Sequence, residues 1–407
     1  NTLEVANSEA DTEKLKKIID VNKFSKIYSY FTSYNSDYII INSINLSIPH
    51  IKSAEYSNVL ETLDSNWVSP VGPQINQLEI DLSNYNNFGY CAAVTSGTAA
   101  IHLALINLGV GKNDYVICQS FTFVASANPI LYQQAKPIFI DSESDTLSMD
   151  PKALEYCLIN LKKKNIKPKA VIVAHIYGMP GKIYELLKIC RKYKVKLIED
   201  SAETLGASIN NIKCGTFGDI GVYSFNGNKI ITSGGGGAVI SKKQSDIKKI
   251  KSLSTQSREN YIYYHHKNIG YNYRMSNVLA SIARAQLKDL DNKIRNRKKN
   301  FIFYKKYFKK FSNINIMDYN GSSKFLHKSN YWFTNILFNK IKFNQLLGLI
   351  EDLKKENIET RPLWKPMHMQ PIFKNCQYYG NNNSEKFFQR GLSLPSSSNL
   401  TIYELKY

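Results

Sequence analysis

Between residues 75 and 285 two kinds of apolar pattern alternate along the chain. Runs with apolar positions at helical spacing fall at 75–85, 98–109, 151–164, 181–193 and 276–289. Between them lie short continuous apolar runs: YVICQ (115–119), AKPIFID (135–141), KAVIVAHIY (169–177), VKLIED (195–200), IGVYSF (220–225) and GAVIS (237–241). Short strands without polar alternation must be covered on both faces, so the pattern predicts a mostly parallel sheet sandwiched by helices. Asp150-Pro151 is a helix start signal and Gly109 a stop.

Outside this stretch the pattern changes. SAEYSNVLETLDSN (53–66) has helical spacing, and NWVSPVGP (66–73) breaks into a Pro/Gly loop. Residues 1–43 mix polar and aromatic residues and read as an appendage with one short helix at 10–20. From residue 286 a long basic helical run (287–311) leads into a second unit. It has strand-like YWFTNILF (331–338), a helix at 343–356 and a loop RPLWKPMH (361–368). NGSS (320–323) and NNNS (381–384) read as loops. The expected organisation is an appendage (1–43), a large α/β domain (44–285) and a smaller α+β domain (286–407).

Charge changes this picture little. The chain has 407 residues, 53 Lys+Arg against 33 Asp+Glu, and a net charge of +20. Such a balance invites nucleic acid, but the lysines are scattered, and a phosphate-bearing small ligand suits a basic surface equally well. No nucleic-acid partner is expected. No run approaches the roughly 18 apolar residues of a membrane span, and the polar start has no signal-peptide core. The six Cys form no C-x-x-C pair or zinc spacing, so no metal is expected. Reduced, buried thiols and a cytoplasmic location are expected instead.

Candidate chemistry sits at the strand ends, where open α/β sheets bind ligands. Thr95-Ser96-Gly97-Thr98 opens an apolar helix whose N–H groups could cradle a phosphate; an ordinary N-cap is the plainer alternative. Glu199 and Asp200 end an apolar strand. There a carboxylate suits a buried cation such as a protonated pyridine nitrogen or a metal, or simply caps a helix. Lys229 lies between strand VYSF and Gly234–Gly237. A lysine among apolar neighbours can act as a Schiff-base nucleophile, although a solvated loop lysine is the plainer reading. Neither a Walker loop nor a G-x-G-x-x-G turn is present. The fourth piece, IGYNYRM (269–275), is weak alone.

In order, these pieces resemble the DegT/DnrJ/EryC1/StrS sugar aminotransferases. The matching segments are SGTAAIHLAL (96–105), SFTFVASAN (120–128), AHIYG (174–178), IEDSAETLGA (198–207), GDIGVYSFNGNKIITSGGGG (218–237) and GYNYRMSN (270–277). NWVSPVGP, TRPLWKPMHMQPIF (360–373) and RGLSLPSSSN (390–399) look most like exopolysaccharide and glycan-pathway members. The resemblance implies a fold-type I pyridoxal phosphate enzyme with a seven-stranded sheet and a smaller C-terminal domain.

It also implies site roles. Lys229 resembles the lysine that carries the cofactor, and Asp200 occupies the position facing the pyridine nitrogen. Phe123 sits where an aromatic stacks on the ring, and Glu203 where a side chain approaches the phenolic oxygen. Gly97, Thr98 and Ser224 fall where the phosphate is held. Asn272 resembles a residue lent by the second subunit, which implies a homodimer with shared sites. Trp67, Asn226 and His368 are the substrate-side candidates, and His175 reads as structural. The implied reaction moves the amino group of glutamate to a nucleotide-linked 4-keto-6-deoxyhexose, with UDP as the expected nucleotide. A sugar dehydratase, a GDP-linked substrate and a non-catalytic regulatory protein are the alternatives. Family dehydratases carry His where Lys229 stands, which favours amino transfer. Residues 1–43 have no counterpart in the family pattern, and a terminal helix expected beyond Tyr407 is missing.

Overall fold

The structure is a computed structural model that describes residues 43–318 and 325–407. Ile44–Tyr407 form one compact unit. The expected appendage and its short helix lie outside the described residues save Ser43, as does all of NGSS.

The helices that matter are α1 (Ser53–Asp64), α2 (Pro73–Asn86), α3 (Gly97–Asn107), α4 (Pro151–Lys163), α5 (Ile183–Tyr193), α6 (Gln244–Ser254), α7 (Asn277–Lys288), α8 (Leu290–Phe308), α9 (Phe343–Lys355) and α10 (Asn383–Arg390). The strands are β1 (Tyr90–Val94), β2 (Tyr115–Gln119), β3 (Lys136–Ile140), β4 (Ala170–Ala174), β5 (Lys196–Asp200), β6 (Ile220–Ser224), β7 (Gly237–Ser241), β8 (Ile314–Ile316), β9 (Thr334–Phe338), β10 (Arg361–Pro362), β11 (Gln377–Tyr379) and β12 (Gly391–Leu394).

The main sheet runs β1-β7-β6-β5-β4-β2-β3-β11. Only β7 is antiparallel to its neighbours; the other pairs are parallel. The expected six strands are present within a residue at each end, except that β4 stops at Ala174, three residues before the end of the expected run. A seventh, β1, is not legible in sequence because YCAAV offers few β-branched residues. The expectation of seven strands is corrected to eight: β11, from the C-terminal stretch, pairs in parallel with Ile138–Ile140. Asp141 locks that addition. Its buried carboxylate accepts from the Asn381 N–H (3.0 Å), the Asn383 N–H (2.8 Å) and the Ser384 N–H (3.0 Å) and hydroxyl (2.6 Å). The expected NNNS loop is a turn that leads into α10, whose first two residues are Asn383 and Ser384.

Parallel strands send all their carboxyl ends to one edge of the sheet. The loops after β1, β2, β4, β5 and β6 meet there. Helix α3 is buried at eight of its eleven positions. A helix that is apolar all round belongs in a core, and this fixes its N-terminus against the sheet. The other face is closed by α2 and α7, where Ile75, Leu78 and Leu82 pack with Ala280 and Ala283.

The C-terminal stretch builds a second, antiparallel sheet, β8-β9-β12-β10, over its own cluster of Ile336, Phe338, Leu346, Leu392 and Leu394. RPLWKPMH, expected as loop throughout, contributes the short β10. The long basic run forms one helix, α8, separated from α7 by Asp289, whose carboxylate accepts from Lys52 Nζ at 2.7 Å. Among the described residues no helix is long and apolar enough to cross a membrane. All six cysteines are free thiols, five of them buried.

Candidate active site

At the carboxyl edge of the main sheet the loops enclose a cavity of about 530 Å³. Gly97, Thr98, Phe123, Asp200, Glu203, Ser224, Asn226 and Lys229 all line it. Segments as far apart in sequence as α3 and the loop after β6 therefore meet, because consecutive parallel strands return to the same edge.

The α3 terminus carries a division of labour. Ser96 is the N-cap, its hydroxyl accepting from the Ala99 N–H at 3.0 Å. The ordinary cap thus belongs to Ser96, while Gly97 and Thr98 face the cavity. Gly97 is needed for close approach: a Cβ there would lie 3.0 Å from Ser224 Cβ. The result is a positive helix end beside a serine hydroxyl, suited to an anionic group.

Asp200 ends β5 and is buried. Its Oδ2 accepts from the Ser126 hydroxyl at 2.6 Å and its Oδ1 from the Ala202 N–H at 3.1 Å. No helix follows it, so the helix-cap reading does not apply. Behind it, Glu199 accepts from the Phe217 and Gly218 N–H groups and from His175 Nε2 at 3.0 Å. His175 Nδ1 accepts from the Gly181 N–H at 3.0 Å. Both ring nitrogens are thus held by the fold, although the residue also borders the cavity.

Lys229 is not a solvated lysine: its side chain is only 11% exposed. Its Nζ lies 3.5 Å from Glu203 Oε1 and 4.4 Å from the centre of the Trp332 ring. Glu203 also accepts from the Tyr177 N–H at 2.6 Å. Burial pushes the Glu203 carboxyl up to about 7, against the pull of Lys229 and the Tyr177 bond. Trp332 itself donates from Nε1 to the Asn228 carbonyl at 2.7 Å, and its own carbonyl accepts from the buried Arg297. Sequence reasoning missed Trp332, Tyr177 and Trp364, all of which line the cavity. YWFTNILF reads as an ordinary apolar strand, and nothing local in it points to a lysine a hundred residues away. Ser126 stood inside a matched segment but carried no assignment.

Three expected residues do not line this cavity. Trp67 stands exposed, with its carbonyl accepting from Asn277 Nδ2 at 2.7 Å. His368 is committed elsewhere: Nδ1 pairs with the Ser120 hydroxyl at 2.7 Å, Nε2 with Glu385 at 3.1 Å, and the ring stacks on Tyr378. It holds a packed position that ties the loop after β2 to α10. Asn272 is held in a bridge with Thr255. Neighbouring Arg274 is pinned by its buried pair with Glu79 and by a 3.0 Å bond to the Ala93 carbonyl.

The donor set fits pyridoxal phosphate. A buried amine, a buried carboxylate on a strand end and a helix N-terminus with a hydroxyl share one cavity of suitable size.

The comparisons agree with this class. Residues 49–407 match the DegT/DnrJ/EryC1/StrS aminotransferase family, and the chain belongs to that family. It is a pyridoxal phosphate-dependent aminotransferase. It is 44% identical over 364 residues to Bacillus subtilis EpsN, named as a pyridoxal phosphate-dependent aminotransferase, covering 88% of this chain and 92% of that one. It is 34% identical over 360 residues to the GDP-perosamine synthase of Escherichia coli O157:H7, covering 88% and 94%. Among solved structures, the PMP form of the sugar aminotransferase Spr1654 from Streptococcus pneumoniae superposes with a TM-score of 0.82 at 24% identity, covering 90% and 95%. At that identity it speaks for the fold alone.

Proposed function

We propose that this chain transfers the amino group of glutamate to the C4 keto group of a nucleotide-linked 4-keto-6-deoxyhexose, for glycan synthesis. The observation that carries the reading is the setting of Lys229. Its amine is held between Glu203 and Trp332 in the cavity that Asp200 and the α3 terminus also line.

Gly97, Thr98 and Ser224 would hold the cofactor phosphate at the helix end, and Phe123 would cover the ring. Asp200, fixed by Ser126 and Ala202, would keep a proton on the ring nitrogen. When bound, the cofactor supplies an electron-poor ring that takes up charge from the amino donor's Cα. Lys229 would carry the cofactor and, once released, move a proton to and from the reacting carbon. Glu203, near its titration point, would exchange a proton with the oxygen beside it. Asn226, which also lines the cavity, would contact the substrate. Asn272, held out of its own chain's cavity, supports a homodimer in which it completes the partner's site. The division into a cofactor-binding part (44–285) and a smaller part (286–407) belongs to the same proposal.

For the nucleotide, the sequence motifs favour uridine, whereas the name of the 34% relative favours guanosine. The test is turnover with UDP-, GDP- and dTDP-linked 4-keto sugars and glutamate. An amino sugar formed fastest from the UDP substrate supports the proposal. The GDP substrate winning would change the nucleotide only, and no amino sugar from any of them would refute the substrate class.

A further inference from the structure

A second cavity lies at the opposite edge of the main sheet. It encloses about 720 Å³. Phe88 precedes β1, Gly218 precedes β6, Lys242 follows the antiparallel β7, and Lys188 and Arg191 lie on α5, just before β5. These are the amino ends of the parallel strands, so the sheet separates this cavity from Lys229 and Asp200.

Its lining is one-sided in charge. Lys188, Arg191, Lys213 and Lys242 all face it, and no carboxylate does. None of the four forms an ion pair among the described residues, although 18 other pairs are present there. Lys213 is half-buried. Its Nζ sits 4.4 Å over the Tyr85 ring and 3.3 Å from that hydroxyl. Burial lowers its pKa, against the pull of Asp291, whose carboxylate accepts from the same Tyr85 hydroxyl at 3.1 Å. No carboxylate pairs with Lys213 directly among the described residues, so an anion in the cavity would offset the remaining cost of its burial. A neighbouring cavity of about 350 Å³ shares Arg191 and adds Lys194 and Lys196. Its one acid, Asp219, is already bonded to Lys196 at 2.7 Å.

The walls between the cations are aromatic. Phe88, Tyr184 and Phe217 line the cavity, the last two edge to face at 5.4 Å. Aromatic faces accept a base by stacking, and arginine with lysines accepts phosphate oxygens. The volume falls within the about 300–1,000 Å³ common for small-ligand pockets. We propose that this cavity is a second binding site, remote from the aminotransferase centre, for a nucleoside polyphosphate.

The test is UTP binding to the full chain by calorimetry, with hydrogen–deuterium exchange to place the site. UTP is expected to protect amides of α5 and of residues 211–218. The variant K188A/R191A/K242A should lose that protection and weaken binding at this site at least tenfold. K298A/K299A/K306A, with the same charge change on exposed positions of α8, should keep both. Unchanged melting temperatures confirm that the variants fold. Protection confined to residues 96–98 and 224–229, equal loss in the two triple variants, or pyrophosphate binding as tightly as UTP would each overturn the proposal. The first would mean binding at the aminotransferase centre, the second diffuse charge, and the third an anion site with no place for a base.

Discussion

Trp332 and Lys229, 103 positions apart in sequence, are coupled twice in this structure. The indole ring lies 4.4 Å from the lysine Nζ, and its N–H bonds the carbonyl of Asn228, the residue before the lysine. The strand-end tryptophan therefore fixes both the backbone and the amine of the residue proposed to carry the cofactor. Trp332 is 1% exposed. Trp332→Ala should cost about 3–5 kcal/mol of stability as a cavity mutation and slow the glutamate half-reaction. Trp332→Phe keeps an aromatic face but loses the donor, so it should recover most of the stability and less of the rate. Denaturant titration with single-turnover kinetics separates the two. Equal rates for Trp332→Phe and the parent would show that the indole N–H plays no part.

Glu203 gives a pH dependence of definite sign. Its folded pKa of about 7 lies above the ordinary glutamate value of 4.5. The folded chain thus binds more protons than the unfolded one between those values. Stability from this group is full below about 4.5 and is lost as pH rises through about 7. In protein stripped of cofactor, the melting temperature of the parent should fall relative to Glu203→Gln between pH 5 and 8. Parallel curves for the two proteins across that window would remove the raised pKa from the account.

Asp200 and Ser126 should separate electronic from structural effects. Asp200→Ala should reduce turnover on the order of 100–1000-fold, the scale of removing a fixed electrostatic group. Ser126→Ala removes the 2.6 Å donor to Asp200 and should cost about 1–3 kcal/mol of stability with a smaller loss of rate. Near-normal turnover by Asp200→Ala at a lowered melting temperature would make Asp200 merely structural.

His368 should behave as a packing residue. Both ring nitrogens are engaged within the chain. His368→Ala should lower the melting temperature and leave KM for the sugar nucleotide within about twofold, a margin of about 0.4 kcal/mol. A large rise in KM at unchanged stability would restore the substrate role expected from sequence.

Asn272 tests the shared site. Mixing inactive Lys229→Ala with inactive Asn272→Ala should restore activity, because some mixed dimers contain one intact site. If subunits demonstrably exchange and no activity returns, Asn272 does not complete a partner's site.

The scaffold is legible in sequence wherever apolar runs are continuous or helically spaced, as at Val116–Cys118 and Leu154–Leu161. Legibility ends where local composition is uninformative. Tyr90–Val94 is alanine-rich. Gln377–Tyr379 is a strand only because Ile138–Ile140 offers an open edge and Asp141 anchors the Asn381–Ser384 turn. Most of the expected site residues, Lys229, Asp200 and Gly97 among them, fell on strand-end loops that the parallel topology must bring together. Trp332 could not be found this way, since its relation to Lys229 arises from packing between distant segments. His368 shows the converse: a Pro-braced histidine looks available in sequence, while its partners Ser120 and Glu385 are visible only in three dimensions.

Lys229 is the residue proposed to carry pyridoxal phosphate. Borohydride reduction of the purified protein with its cofactor, followed by peptide mapping, tests this assignment directly. The modification is expected on Lys229, with neither covalent cofactor nor amino transfer in Lys229→Ala protein. Modification of another lysine, or amino transfer retained by Lys229→Ala, would contradict it.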